Sequence, residues 1–379
     1  MTAAYFDWAA TTQVEHRVAE IALNYMVNDF GNSGSRTHTI GTTARSATEV
    51  ARKQVADVVG ADVDDVIFTS GATEADNLAI LGLREYAIKH GLNHIITSSA
   101  EHKAVLEPIQ HLEAQGFEVT YLKPNEDGFI RALDVSNSLS EKTFLVSVMQ
   151  VNNETGILQP INEIGRCLEN HSAYFHVDAA QGFGKSLEDL MDKRIDLISA
   201  SGHKLYAPKG VGALIMRKRN GRERVPLEPL MFGGGQEKNI RPGTLPVALI
   251  AAFGLACELA QNENNERAKK CREIEELVTN FVLTAGGEIN GSRANSIPNI
   301  LNASFPGIDS EAFILATKEV IAISNGSACT SSSYEKSHVL QAMGLAEKRL
   351  DSAIRFSWSH FADLPDFDQL LAALQSVRI

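Results

Sequence analysis

Lys204 stands directly after the apolar run Asp196–Ala200, in Ser201-Gly202-His203-Lys204. A lysine just past a buried strand lies at the edge of an α/β sheet where ligands collect; the alternative is an ordinary surface lysine. Asp178 ends the run Tyr174–Val177. There a carboxylate can pair with a buried cation, or cap a helix beginning at Ala179-Ala180-Gln181. Gln181 can turn toward the same place. Gly71-Ala72-Thr73 joins an apolar run to a helix-like one, so its backbone N–H groups and the Thr73 hydroxyl could hold a phosphate or simply cap the helix. His102 follows the run His94–Ser98 and has a structural reading beside the chemical one. Cys329 sits in the small-polar stretch Ser324–Lys336, whereas Cys167, Cys257 and Cys271 lie in or beside helix-like segments. A loop thiol becomes a nucleophile if its pKa falls, and is otherwise a surface cysteine. Gly233-Gly234-Gly235 reads as a turn.

A lysine, an aspartate, a phosphate cradle and an aromatic nitrogen base, all from strand ends, fit pyridoxal 5′-phosphate. Lysine condenses with the cofactor's aldehyde. Aspartate keeps the pyridine nitrogen protonated, which makes the ring an electron sink. The helix start takes the phosphate, and His102 can stack on the ring.

The elements that must position these residues alternate. Val66–Thr69, His94–Ser98, Phe117–Leu122, Thr143–Met149, Ala173–Val177, Asp196–Ala200 and Val211–Met216 read as strands. Ala75–Lys89, Lys103–Gln115 and Ile161–Leu168 read as helices between them. Such alternation implies a largely parallel sheet covered on both faces. Leu245–Leu259 reads as a helix that continues through Asn262–Lys270 as an exposed face. From Cys271 the pattern changes to Glu273–Leu283 (helix), Ser296–Phe305 (strand), Glu311–Lys318 (helix) and Ala353–Ser357 (strand), a second, smaller domain. Ser324–Lys336 reads as a mobile loop.

The chain has 379 residues, more than one ordinary domain. Its 44% hydrophobic and 22% charged residues exclude wholesale disorder. Lys plus Arg number 35 against 47 Asp plus Glu, a net charge of −12 that argues against general nucleic-acid or anionic-membrane binding. No apolar run reaches membrane-spanning length, and the opening residues lack the basic-then-apolar pattern of a secretory signal. Four cysteines, none at CxxC spacing, are too few for a disulfide framework and make a cysteine zinc site unexpected, so no metal is expected. A cytoplasmic location is the expectation.

Motifs along nearly the whole chain then resemble one family. They include Phe6-Asp7-Trp8-Ala9-Ala10-Thr11-Thr12, Thr69-Ser70-Gly71-Ala72-Thr73-Glu74, Glu101-His102 and Asn152-Asn153-Glu154-Thr155-Gly156. Val177-Asp178-Ala179-Ala180-Gln181, Ser201-Gly202-His203-Lys204, Arg241-Pro242-Gly243-Thr244, Gly326-Ser327-Ala328-Cys329 and Ile354-Arg355-Phe356-Ser357 follow in order. The chain resembles the NifS/IscS-like cysteine desulfurases, in the class V aminotransferase group of fold-type I pyridoxal-phosphate enzymes.

That resemblance implies an α/β fold: a large domain (residues 14–260) with a mostly parallel seven-stranded sheet between helices, and a small α+β domain (residues 1–13 and 261–379) carrying the Cys329 loop. It implies that Lys204 carries the cofactor and moves protons at the substrate Cα. Asp178 pairs with the pyridine nitrogen, Gln181 reaches the ring oxygen, and His102 stacks and acts in acid–base steps. Ala72, Thr73, Ser201 and His203 bind the phosphate, and Thr244 reaches the phosphate of the other subunit of a homodimer. Asn153 lies beside the cofactor and helps bind the substrate, and Arg355, assisted by Asn32, takes the substrate carboxylate. The implied reaction converts L-cysteine to L-alanine and leaves a persulfide on Cys329. An acceptor protein then takes the sulfur for iron–sulfur assembly, tRNA thiolation or DNA phosphorothioation. The Gly31–His38 segment departs from the family pattern, with no proline and one extra residue, where relatives line the substrate entrance. Two other readings remain. Another enzyme of this fold, a β-lyase or aminotransferase, would not need Cys329. An inactive scaffold relative would have lost at least one of Lys204, Asp178, His102, Cys329 and Arg355.

Overall fold

Strands buried on both faces read as near-continuous apolar runs, and the runs above do form one sheet. The computed structural model describes residues 3–219, 221–326 and 336–378. The described strands are β1 (Ala4–Tyr5), β2 (Val66–Thr69), β3 (His94–Ser98), β4 (Glu118–Leu122), β5 (Thr143–Met149), β6 (Tyr174–Asp178), β7 (Leu197–Ser201), β8 (Gly212–Met216), β9 (Glu288–Ile289), β10 (Ile300–Ser304), β11 (Ile321–Ala322) and β12 (Ala353–Ser357). The helices are α1 (His16–Val27), α2 (Thr39–Val58), α3 (Ala72–Leu81), α4 (Arg84–His90), α5 (Lys103–Glu113), α6 (Ala132–Ser138), α7 (Ile161–Cys167), α8 (Val247–Asn262), α9 (Asn264–Thr284), α10 (Ser310–Thr317), α11 (His338–Ala342), α12 (Glu347–Asp351) and α13 (Phe367–Ser376).

The large sheet has seven strands in the order β2-β8-β7-β6-β5-β3-β4, parallel except β8, which runs antiparallel to both neighbours. One face packs Val55, Phe68, Phe175 and Phe253 beneath α2 and α8. The other packs Leu78, Ile95, Ile109 and Phe144 beneath α3 and α5. A separate core gathers Phe6, Trp8, Phe281, Phe305, Phe356 and Trp358 around the sheets β12-β10-β9 and β1-β11. The first residues of the chain therefore belong with the last hundred. Parallel pairing brings the carboxyl ends of β3, β5, β6 and β7 to one edge, where the segments carrying His102, Asn153, Asp178 and Lys204 emerge.

The structure corrects several expectations. The helix expected to run from Leu245 through Lys270 is two helices. Glu263 breaks it with φ −107° and ψ 7°, and Asn264 begins α9 with its side-chain amide donating to the carbonyls of Gly184 and Lys185. The Glu273–Leu283 helix is the later part of α9. The Ala75–Lys89 helix divides at Gly82-Leu83, as glycine's low helix propensity allows. The strand expected from Ser296 starts only at Ile300, after Pro298, which has no N–H to give a ladder. Ser324, expected in a loop, pairs through its backbone with Arg355. Residues 327–335, Cys329 among them, lie outside the described residues.

Candidate active site

Between the carboxyl edge of the large sheet and the N-terminal segment lies a cavity of about 500 Å³. Lys204, Asp178, Gln181, His102, Asn153 and Arg355 all line it, and so do Ala72, Thr73, Ser201 and His203. Two expected site residues stand elsewhere. Asn32 is exposed, and its Oδ1 accepts from the Gly34 N–H at 2.8 Å. Thr244 is exposed too, and neither lines the cavity of this single chain.

Each side chain arrives from a strand end. Asp178 is the last residue of β6; a turn follows it, not a helix, and its Oδ1 accepts from the Ala180 N–H at 2.9 Å. Ser201 ends β7, and Lys204 closes the single 3₁₀ turn after it. His102 caps α5, its Nδ1 accepting from the Ala104 N–H at 3.1 Å, so its structural and cavity-lining readings hold together.

Sequence reasoning assigned no role to individual residues of Phe6–Thr12, yet this segment closes the cavity. Lys204 Nζ donates to the carbonyls of Ala9 (2.5 Å) and Ala10 (2.7 Å), and Gln181 Nε2 donates to Ala9 at 2.8 Å. Arg355 donates to Asp7 Oδ1 at 2.6 Å and to the Asn153 carbonyl at 3.1 Å, while its buried Nε has no partner among the described residues. The motif around Asp7 was visible; its pairing with a residue 348 positions away was not.

The start of α3 is built to receive an anion. Its N-cap is Gly71, which supplies no side-chain cap, so the first N–H groups of a ten-residue helix have no intrahelical partner. A Cβ on Gly212 would lie 2.6 Å from the Gly71 Cα, so only glycine lets β8 pass this close to the turn. A Cβ on Gly71 would come within 3.5 Å of the Ser201 hydroxyl, which therefore stands beside the same turn. Uncapped N–H groups, a hydroxyl and the His203 imidazole suit a phosphate. Asp178 and Lys204 suit a pyridinium and an aldehyde. The residues present fit pyridoxal 5′-phosphate.

Burial and the neighbouring Asp76 push the Asp178 carboxyl up to about 6. Burial lowers His102, and it lowers His203 to about 4 with Lys204 next to it. His176, below the cavity floor, bonds the hydroxyls of Ser147 (2.8 Å) and Ser199 (2.9 Å) and is held neutral at about 4 by burial. Its 3.5 Å approach to Asp76 is therefore not an ion pair. Asp76 is almost fully buried, and desolvation raises it to about 7.

A raised carboxyl contributes its stability below the unfolded value near 4 and loses it as pH climbs through the folded value near 7. Asp76→Asn does not titrate. Its stability gain over the parent should therefore grow between pH 4.5 and pH 8, to roughly 2–4 kcal/mol at about 1.4 kcal/mol per pKa unit. Denaturant unfolding of the cofactor-free protein at both pH values checks this; the same gain at both would contradict it.

Residues 4–370 match the aminotransferase class-V family model. The chain is 44% identical over 367 residues to the cysteine desulfurase IscS of Serratia proteamaculans, covering 96% of this chain and 90% of that one. Among solved structures, DndA from Streptomyces lividans is similar at a TM-score of 0.82 and 45% identity, covering 94% of this chain and 98% of that chain. SspA in complex with cysteine is similar at a TM-score of 0.80 and 37% identity, covering 93% of this chain and 98% of that chain. With sequence and fold alike over almost its whole length, the chain belongs to the aminotransferase class-V family, in its NifS/IscS-like group of cysteine desulfurases.

Proposed function

We propose that this chain converts L-cysteine to L-alanine with pyridoxal 5′-phosphate and leaves the sulfur as a persulfide on Cys329, from which an acceptor protein takes it. The observation that carries this reading is the convergence of Lys204, Asp178, the uncapped start of α3 and Arg355 on one cavity. The α3 start, Thr73, Ser201 and His203 would hold the phosphate, Asp178 the pyridine nitrogen, the second N–H of Gln181 the ring oxygen, and the His102 ring the cofactor face. When bound, the cofactor supplies an electron sink for charge developing at the substrate Cα.

Lys204 would hold the cofactor through its aldehyde, and its amine is placed to take and return the proton at the substrate Cα. Arg355 takes the substrate carboxylate, its guanidinium plane fixed by Asp7 and the Asn153 carbonyl. The Cys329 thiolate then attacks the substrate sulfur. An S–S bond forms, the Cβ–S bond breaks, and its electron pair stays on the carbon side, where a proton completes alanine. L-cysteine plus thiol become L-alanine plus persulfide, with no outside oxidant or reductant.

The reading includes a homodimer in which Thr244 serves the phosphate of the other subunit. Supporting it, Leu230, Met231 and Phe232 stand exposed a dozen residues before Thr244, with Phe232 at 89%. The separate cores support a large domain of residues 14–260 and a small one of residues 1–13 and 261–379.

The test supplies purified, cofactor-loaded protein with L-cysteine and a thiol reductant. One alanine per sulfide supports the reading; pyruvate and ammonia in place of alanine would make the enzyme a β-lyase. Arg355→Lys keeps the charge and loses the two-pronged donor geometry. It should raise KM for L-cysteine roughly 10–100-fold with kcat changed far less, since one strong charged pair contributes that much binding. Steady-state alanine kinetics read the split, and an unchanged KM would remove Arg355 from substrate binding.

A further inference from the structure

One loop, residues 236–244, grips the Ser70–Ala72 turn from both sides. On the strand side, Glu237 is buried and accepts from the Phe68 N–H (2.7 Å) and from both terminal nitrogens of Arg52 (2.8 and 2.7 Å). Arg52, in α2, also donates to the Val66 carbonyl at 2.9 Å, so this ion pair satisfies two backbone groups of β2, the strand at one end of the sheet order. On the helix side, Arg241 donates to both oxygens of Glu74 (2.7 and 3.3 Å), and Glu74 Oε2 accepts from the Ser70 N–H at 2.7 Å. The loop is also closed on itself, because Gln236 Oε1 accepts from the Gly243 N–H at 2.8 Å. Glu237, Lys238 and Asn239 stand at φ +44°, +61° and +65°, the left-handed region that residues other than glycine rarely enter. Such a run persists only where its surroundings fix it, and Glu237, Lys238 and Arg241 each hold it through an ion pair.

We propose that Glu237 and Arg241 are positioning residues that lock this loop to the phosphate turn of their own subunit, and thereby set where Thr244 meets the cofactor phosphate of the other. The proposal rests on the two-subunit reading of Thr244 and adds to it what holds the threonine in place. Thr244 is exposed, and Gly243 before it stands at φ +120°. A hydroxyl that must meet a group on another chain depends on the backbone that carries it. Thr244 is three residues past Arg241, so the two Cα atoms stay within about 11 Å of each other. The Arg241–Glu74 pair is the nearer hold, and the Glu237 pair fixes the start of the loop. The turn that cradles one phosphate is then the frame from which the other is reached.

The test follows how fast the cofactor-loaded enzyme loses pyridoxal 5′-phosphate, by its visible absorbance, after dilution into cofactor-free buffer. Light scattering follows the dimer in parallel. Thr244→Ala should speed the loss roughly 10–100-fold, the contribution of one hydrogen bond to a charged group. Arg241→Met removes the pair with Glu74 and should speed the loss by a similar factor. In the double variant the loss should stay within about twofold of Thr244→Ala alone, because both changes act through one contact. Arg241→Lys, which keeps a charged donor for Glu74 without the two-pronged geometry, should stay within about fivefold of the parent. Glu237→Gln, which keeps an acceptor for the Phe68 N–H, should also speed the loss and add nothing to Thr244→Ala. Arg241→Met at the parent's rate, or adding its full factor to Thr244→Ala, would overturn the proposal; the pairs would then serve only the fold or the turn of their own subunit. Should Arg241→Met fail to assemble, Glu237→Gln decides by the same comparison. A parent that is not a dimer, or Thr244→Ala losing cofactor no faster than the parent, would instead bring down the two-subunit reading, and this proposal with it.

Discussion

Replacing Lys204 by alanine is expected to lower alanine formation from L-cysteine by roughly 10²–10⁴-fold, the range for losing a positioned proton carrier. The geometry makes this a test of chemistry, not of folding. Lys204 reaches the cavity from the 3₁₀ turn after β7, and its amine is held by the Ala9 and Ala10 carbonyls. In the variant Ala9 still accepts from Gln181 Nε2, so the N-terminal segment keeps part of its hold. The cost in stability should be about 1 kcal/mol, that of one hydrogen-bonding group. Lys204→Arg should not rescue activity, because a guanidinium cannot give up its proton in the working range. Alanine is quantified against the parent while the unfolding midpoint is followed in parallel. Activity within tenfold of the parent at an unchanged midpoint would remove Lys204 from the reaction.

That the lysine could be singled out follows from how the sheet is built. Strands such as Thr143–Met149 are buried along their whole length and announce themselves as β-rich apolar runs. The residues just past their ends are then the ones facing the ligand edge, which is how Lys204, Asp178 and His102 stand out. Other parts of the fold carry no such signal. Helix α2 separates a buried face of Ala44, Ala47, Thr48, Ala51 and Val55 from a polar one, but that face is mostly small residues and lacks the large aliphatic side chains that mark α5. The division between α8 and α9 turns on one residue, Glu263, whose charge pairs with Arg17 and Arg267 from different helices. Within the site, what stayed hidden is what depends on distant contact. The Lys204–Ala9 bond spans 195 positions, and the Arg355–Asp7 bond spans 348. Residue type and local spacing say which groups can do chemistry; only the packing of the small core against the sheet edge says which groups hold them.

Cys329→Ser should reduce alanine formation by about 10³-fold or more, a loss typical of removing a nucleophile, while the absorbance change on adding L-cysteine persists. A serine hydroxyl stays protonated at neutral pH and cannot take the sulfur as a persulfide, whereas Lys204, Asp178 and Arg355 are untouched, so engagement at the cofactor is expected to persist. No other described thiol is placed to substitute. Cys257 is fully buried, and desolvation pushes it well above the ordinary thiol range. Burial pushes Cys271 up to about 11, so neither presents a thiolate near neutral pH. Cys167 ends α7 with its Sγ turned to the Ala132 carbonyl at 3.6 Å, and it lines neither the cofactor-sized cavity nor the larger one beside it. Alanine from the variant at the parent's rate would mean that sulfur leaves without Cys329, and the β-lyase reading would replace the desulfurase one.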